Sequence, residues 1–460
     1  MTPLDASIVT IAIPSIASSI NIGLDSAVWI PLAYLLLLTV LLINVGRLSD
    51  LRGRKRFYVL GFTVFTLGSV LCGLSTTDVQ MIAFRALQGI GAAFIAANSA
   101  AIVTDAFPTW ERGKALGINT MAVYTGLTAG PLIGGILVQN YGWRSIFFVN
   151  VPIGILVVTL TMLKLKETRN IEVDSGSDFA GAITLSITLT SLLILLTFGG
   201  SYGWISWPTI LLGAVSTIMF TLFLHIEGRL VDYPTLDLSL FTKNRLFAAA
   251  NVTAFLSYVA VNGITLAISI YLQSIQQLDP QTAGIYLITQ SAAMALLSPL
   301  SGWLSDRVGS RILSSFGMML VTVGLYFFSQ LTASSLPLEV IWRLVLVGIG
   351  FGLFSSPNTS AVMGSVKQRK LGVAAGTLGT MRFMGQAIGL ALLVTVMATV
   401  LPPKTMLGLF AGLSVQNTFA RAEFVQGLRS FFLITACIGV LGTLTSLVRG
   451  HEELSISLPE

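Results

Sequence analysis

Asp5 and Arg85 are charged residues placed inside long apolar stretches of a 460-residue sequence in which Asp, Glu, Lys and Arg make up only 10%. Asp5 is the sole carboxylate within the apolar part of any predicted helix. A charge at membrane depth costs at least about 2.5–3.5 kcal/mol on insertion scales, so each such residue asks for a partner or a task. Burial penalises an ionised carboxyl, which suits Asp5 to taking up and releasing a proton. The alternative is a cap on the first helix, at the interface. Arg85 has Gln88, Ala92 and Ser99 within about 60° of it on a helical wheel. It could hold a deprotonated carboxylate or a chain of waters shared with Asp5, or it could snorkel to the outer headgroups.

Other polar groups in apolar windows are candidates for lining a cavity: Gln88, Asn98, Asn119, Asn262, Gln290, Asn358, Gln386, and Arg382. Tyr124 joins them because it points about 160° away from a glycine ridge on its helix. Each amide is equally readable as an interhelical tie, worth about 0.6 kcal/mol. Arg343 reads as interfacial. No G-x-x-x-x-G-K-[ST] run, Ser/His/Asp set or metal-ligand cluster occurs, and Cys72, Cys437, His225 and His451 lie far apart. The expectation is a protein that is not an enzyme and uses no cofactor or metal.

The elements that carry these residues are membrane helices. With 54% apolar residues and a mean hydropathy of +0.84, the chain excludes soluble enzymes, disordered tails and nucleic-acid-binding folds, despite a net charge of +6. A span needs about 20 mostly apolar residues to cross roughly 30 Å of hydrocarbon. Thirteen windows lack Asp, Glu, Lys and Arg, and the longest, 179–224, holds two helices split at Gly199-Gly200-Ser201-Tyr202-Gly203-Trp204. The count is fourteen transmembrane helices. Nineteen of the 26 Lys and Arg then fall on one side, four (Arg144, Lys404, Arg421, Arg429) on the other, and three (Arg85, Arg343, Arg382) within or beside helices. That bias places both termini in the cytoplasm. The first helix is short and its acid sits near Met1, which points to a truncated or misassigned start.

A repeat organises the helices. Gly46-Arg47-Leu48-Ser49-Asp50-Leu51-Arg52-Gly53 recurs as Gly302-Trp303-Leu304-Ser305-Asp306-Arg307-Val308-Gly309, 256 residues on. Gly89, Gly91, Gly126 and Gly130 recur 259 residues on as Gly348, Gly350, Gly385 and Gly389. Three segments follow: an N-terminal six-helix half (1–170), two inserted linker helices (171–245) with no charges in their spans, read as peripheral, and a C-terminal six-helix half (246–460). The two halves are parallel repeats.

These motifs together resemble the major facilitator superfamily, and within it the 14-helix branch of drug:proton antiporters. The resemblance covers almost the whole chain. It rests on Leu4 to Pro14, with Ser7 and Thr10 where the branch has Thr and Asn. It rests also on the Gly46–Arg56 loop, Arg85-Ala86-Leu87-Gln88-Gly89, Gly126-Leu127-Thr128-Ala129-Gly130-Pro131-Leu132-Ile133-Gly134-Gly135, and Trp143 to Gly154. It implies proton coupling at Asp5 and Arg85. It implies a cytoplasmic latch of Gly46, Asp50, Gly53, Arg54 and Arg112, with Gly302 and Asp306 as a second copy. It implies export where Gly126, Gly130, Pro131, Gly134 and Gly135 form the full antiporter motif; the second half has Leu390 in place of the proline. The expected function is proton-coupled export of lipophilic compounds, cationic ones included, across the plasma membrane by alternating access. Its partners would be a small lipophilic substrate, protons and the bilayer, with no nucleic acid, and the working unit a monomer. A transporter of one dedicated metabolite (lipid, siderophore or amino acid derivative) is the nearest alternative, and a non-transporting receptor a more distant one.

Overall fold

The structure, a computed structural model, describes residues 1–106, 112–165, 167, 179–229, 238–366, 371–401 and 418–449. Every regular element among them is helical, as backbone in lipid requires. The first half comprises α1 (Thr2–Ile20), α2 (Leu24–Arg52), α3 (Arg54–Leu74), α4 (Asp78–Ala106), α5 (Arg112–Tyr141), the single turn α6 (Ser145–Phe148) and α7 (Asn150–Lys164). Next come α8 (Phe179–Tyr202), α9 (Trp207–Arg229) and the short α10 (Leu238–Lys243). The second half comprises α11 (Arg245–Ile270), α12 (Pro280–Val308), α13 (Ser310–Phe328), α14 (Pro337–Gly364), α15 (Leu371–Val400) and α16 (Thr418–Leu447). A π-turn, Tyr271–Ile275, continues α11.

Twelve helical segments among the described residues are long and apolar enough to span a membrane, against the fourteen expected from the sequence. The difference lies in α2 and α5. In α2 the side chains of residues 24, 25 and 43 lie outside the described residues, which leaves Ser26–Leu42 as a shorter apolar stretch. In α5 the side chains of residues 112–121 lie outside the described residues.

The two halves repeat each other's contacts. A Cβ added at Gly91 would lie 2.5 Å from the Phe65 nitrogen, and one at Gly350 would lie 2.7 Å from that of Val321. Gly89 faces the Tyr34 carbonyl as Gly348 faces that of Gln290, and Gly154 faces Thr66 as Gly439 faces Thr322. The second glycine of each eight-residue motif ends its helix: Gly53 (φ 113°) and Gly309 (φ 91°) donate their N–H groups to the carbonyls of Ser49 and Ser305 at 2.8 and 2.9 Å. A residue with a Cβ is strained at such φ, so the motif's spacing is that of a helix and its stop.

One register differs. Ser7 Oγ donates to the Leu127 carbonyl at 3.0 Å, and Asn262 Nδ2 to that of Gln386 at 3.0 Å, so α1 and α11 correspond with an offset of 255. Beyond the π-turn the offset is 256, with Asn21 and Gln277 both at φ 57°. The extra residue is absorbed in the wider turn, where Leu278 N–H reaches back to Leu272 while Ile22 N–H reaches Ala17.

Two helix pairs make the main junctions between the halves, α5 with α12 and α2 with α15, and α1 adds smaller contacts with α11 and α12. At the first, a Cβ on Gly284 would lie 2.3 Å from the Pro131 carbonyl oxygen, and one on Gly135 2.5 Å from that of Pro280, so backbone meets backbone. Gln273 on the π-turn adds a bond to the Ile11 carbonyl of α1, at 3.1 Å. The inserted α8 is not peripheral, contrary to expectation. It packs on both α2 and α15, with Phe198 stacked on Trp29 at 6.2 Å and the Leu196 carbonyl accepting from Thr395. An apolar sequence reads alike whether protein or lipid covers it. The outer α9 packs mainly on α8.

Candidate functional site

Asp5 sits in the first turn of α1, yet its side chain caps nothing; it is 1% exposed and turned into the first half. Arg85, on α4, is equally buried, so neither capping nor snorkelling describes the pair. Arg85 Nη1 donates to Asp5 Oδ2 at 2.7 Å, and Asp5 Oδ1 accepts from Gln88 Nε2 at 2.9 Å and Asn150 Nδ2 at 2.8 Å. The guanidinium also donates through Nε to the Ile30 carbonyl at 3.1 Å, through Nη1 to Gln88 Oε1, and lies 4.5 Å over the Tyr34 ring. Ser69 Oγ accepts from Gln88 Nε2 at 2.7 Å and Asn150 Nδ2 at 3.3 Å. Three helices (α1, α4 and α7) thus meet at one carboxylate, and α2 and α3 join the network through Arg85, Gln88 and Asn150.

The local sequence explains the placement. Arg85 and Gln88, three apart on α4, share one face. The Gly89–Tyr34 and Gly91–Phe65 approaches bring α2 and α3 against that helix. The break after Phe148 starts α7 at Asn150, whose amide then faces α1. Gly126, Gly130 and Gly134 form the ridge on which α1 rests through Leu4, Ser7, Ile8 and Ile11, while Pro131 and Gly135 face α12 of the other half. The glycine–proline motif of α5 therefore touches both the helix that bears Asp5 and the opposing half.

An ion pair this deep is held by saturation: taking one partner away leaves a buried charge and costs about 3–5 kcal/mol. Protonating Asp5 would remove the same attraction reversibly. Asn150 Oδ1 is buried without a partner, so the network has one unfilled acceptor.

Of the other candidates, Asn98 bonds the Phe94 carbonyl on its own helix at 2.8 Å, and Asn262 ties α11 to α15. Gln290 and Gln386 are half-buried, and Asn358 is buried and accepts from Arg449. Arg382 donates to Thr359 Oγ1 at 2.5 Å and lies 5.8 Å from the Tyr258 ring. Arg343 pairs with Glu339 at 3.2 Å. Gln88 belongs to the ion-pair network. Gly46 and Gly302 lie against Ala97 and Ser356, and Arg54 donates to the Ala101 carbonyl at 3.4 Å. The side chains of Asp50, Arg112, Asn119, Tyr124 and Asp306 lie outside the described residues.

Sequence reasoning missed Asn150, Ser69 and Glu167. Asn150 was visible as an amide in an apolar window. Glu167 accepts from the Lys55 backbone N–H at 3.0 Å, stands 3.6 Å from Arg56, and occupies the space a Cβ on Gly53 would need. It holds the start of α3, in the loop expected to latch. Among the described residues no group of His, Cys, Asp or Glu could hold a metal ion.

Comparison with known proteins places this geometry. The chain is 36% identical over 398 residues to the multidrug resistance protein Stp of Mycobacterium tuberculosis, covering 86% of this chain and 73% of that one. It is 34% identical over 391 residues to the riboflavin transporter RibZ of Clostridioides difficile, covering 85% and 84%. It is 29% identical to the tetracenomycin C resistance and export protein of Streptomyces glaucescens, covering 87% and 74%. A solved bacterial homologue of the human lysosomal transporter Spinster, inward-facing and occupied, shares the fold at a TM-score of 0.69 with 17% identity, over 97% of this chain and 93% of that one. The Major Facilitator Superfamily matches residues 1–178 and 250–455, on either side of the inserted helices. The chain is therefore a multi-pass membrane transporter of the major facilitator superfamily, with relatives of the multidrug-resistance type.

Proposed function

We propose that this transporter exports lipophilic compounds in exchange for protons, with Asp5 as the proton carrier and Arg85 as its counter-charge. The observation that carries this reading is the Arg85–Asp5 pair, 1% exposed on each side and joined at 2.7 Å. Deprotonated Asp5 binds α1 to α4 and α7; protonated Asp5 releases them. Because α1 also rests on the α5 ridge and meets Gln273 of the second half, its release is felt at the junction between halves. One proton entering down 100 mV supplies about 2.3 kcal/mol. That sustains roughly a 50-fold gradient of a neutral substrate.

In this reading the chain crosses the plasma membrane fourteen times, α2 and α5 joining the twelve apolar segments, with both termini cytoplasmic and a monomer as the working unit. The test is dye export from proteoliposomes under an imposed pH gradient, wild type beside Asp5→Asn. Gradient-dependent export by wild type alone supports the reading; gradient-driven export by a folded Asp5→Asn protein sinks it. The 34% identity to a riboflavin transporter favours a second reading, a dedicated metabolite. Flux restricted to one compound class in a substrate panel would select it.

A further inference from the structure

Arg382 is a half-buried arginine within the apolar span of α15, and its situation is the reverse of Arg85's. It lies eleven residues into α15, about 16 Å from the helix start at 1.5 Å per residue. It falls inside the apolar span Val373–Val400. Its Nη2 donates to Thr359 Oγ1 of α14 at 2.5 Å, its guanidinium is 5.8 Å from the Tyr258 ring of α11, and its Nε is buried without a partner. Among the described residues no carboxylate stands within ion-pair distance of it. The fold does not need this cation: at the corresponding places the first half builds the same helices with Val123, Ala100 and Pro3. One turn earlier on α15, Gly379 lies against Leu42 of α2, so this stretch borders the junction between the halves.

An intramembrane ionisable residue is a functional-site candidate by default, and a cation with no carboxylate beside it is suited to a bound anion. The guanidinium fork matches a carboxylate or phosphate, and the Tyr258 ring, packed edge-on to Phe351 at 5.2 Å, offers an apolar wall beside it. We propose that Arg382, positioned by Thr359 (whose own hydroxyl donates to the Ser355 carbonyl at 2.7 Å) and flanked by Tyr258, forms a subsite for the anionic oxygen head of an amphipathic molecule. This names a substrate chemistry within the transporter reading and rests on it.

The test is a binding measurement on the full-length protein in phosphatidylcholine nanodiscs, which separates it from transport. Tryptophan-to-pyrene energy transfer, corrected with excess non-fluorescent competitor, reads the affinities of 1-pyrenebutyrate, 1-pyrenebutanol and a pyrenebutyl-trimethylammonium probe. The butyrate is expected to bind at least about tenfold more tightly than the alcohol, and the ammonium probe more weakly than either. Arg382→Gln should abolish that preference, Arg382→Lys should keep part of it, and Thr359→Val should reduce it with the helices intact. Asp5→Asn should leave it unchanged while stopping proton-driven export, so the two ideas fail separately. Repeating the series with phosphatidylglycerol in the discs identifies the source of the head: loss of butyrate binding assigns the subsite to anionic lipid, and retention assigns it to substrate. Equal affinity for the three probes, or a folded Arg382→Gln and Thr359→Val pair with undiminished preference, overturns the proposal.

Discussion

The two halves are built on one plan and filled with opposite chemistry. Following the offsets, Asp5, Ser69, Arg85, Gln88 and Asn150 of the first half correspond to Ala260, Leu325, Leu344, Val347 and Thr435 of the second. All five counterparts are fully buried, and four are apolar. The helix packing therefore does not need the polar network, since the same glycine-mediated approaches hold an apolar core just as well. What the first half has in their place is a carboxylate held by three donors. The second half carries its charges elsewhere, among them Arg343, paired with Glu339, and the half-buried Arg382. The scaffold is shared, and the chemistry is local to each half.

That comparison can be broken most forcefully in the first half. Arg85→Leu alone leaves Asp5 buried without its counter-charge and should cost about 3–5 kcal/mol, read as a fall in the thermal unfolding midpoint together with lost export. Replacing all five polar residues by their second-half counterparts should instead give a protein as stable as wild type or more so, with no proton-driven export. A quintuple variant that still exports under a pH gradient would remove the network from the mechanism.

The junctions between halves provide a smaller effect. The backbone approach of Gly284 to Pro131 and Gly135 to Pro280 corresponds, at the other junction, to Val28 and Val394, both fully buried. Gly284→Ala should therefore overpack, costing about 1–3 kcal/mol and parting α5 from α12, which labelling of a cysteine introduced near Gly135 would report. Val28→Ala should leave a small cavity and no such labelling.

Asn150→Thr, which imports the second half's residue, removes a donor to a charged group and should cost about 1.5–3 kcal/mol with reduced coupling, measured by unfolding and by the pH dependence of export. The smallest effect concerns the helix starts. Asp279 caps α12 by accepting from Thr282 N–H at 2.9 Å, whereas Gly23 begins α2 with no side-chain cap. The Thr282 bonds hold the Asp279 carboxyl below its ordinary range. Its stabilisation is thus present above the unfolded pKa and lost as pH falls through the lowered folded one. Asp279→Ala should cost about 0.5–1 kcal/mol at neutral pH and progressively less in acid; an unchanged acid profile would contradict this.

Legibility followed the energetics of each residue. Asp5, Arg85 and Gln88 could be read from sequence because a charge in an apolar window is costly enough to demand explanation. Asn150 and Ser69 could not be joined to them, since uncharged polar residues are ordinary in helices and their partners lie up to 145 positions away. The repeat was visible through its glycines, which only close backbone contact requires. The position of α8 was invisible, because lipid and protein make the same demand on a leucine.

The π-turn in α11 carries a further consequence, for how the two halves can be aligned and altered. A residue inserted into a regular helix rotates everything beyond it by about 100°, exchanging lipid-facing and core-facing side chains along its whole remaining length. Confined to Tyr271–Ile275, the extra residue changes nothing downstream, and the two halves return to step by Gln277. An alignment made at a single fixed offset would set Asp5 against Val261 and hide the exchange of a charge for Ala260. The turn acts as a shock absorber for length, and it marks the spot where a one-residue deletion in the second half would be tolerated when its neighbours would not tolerate one.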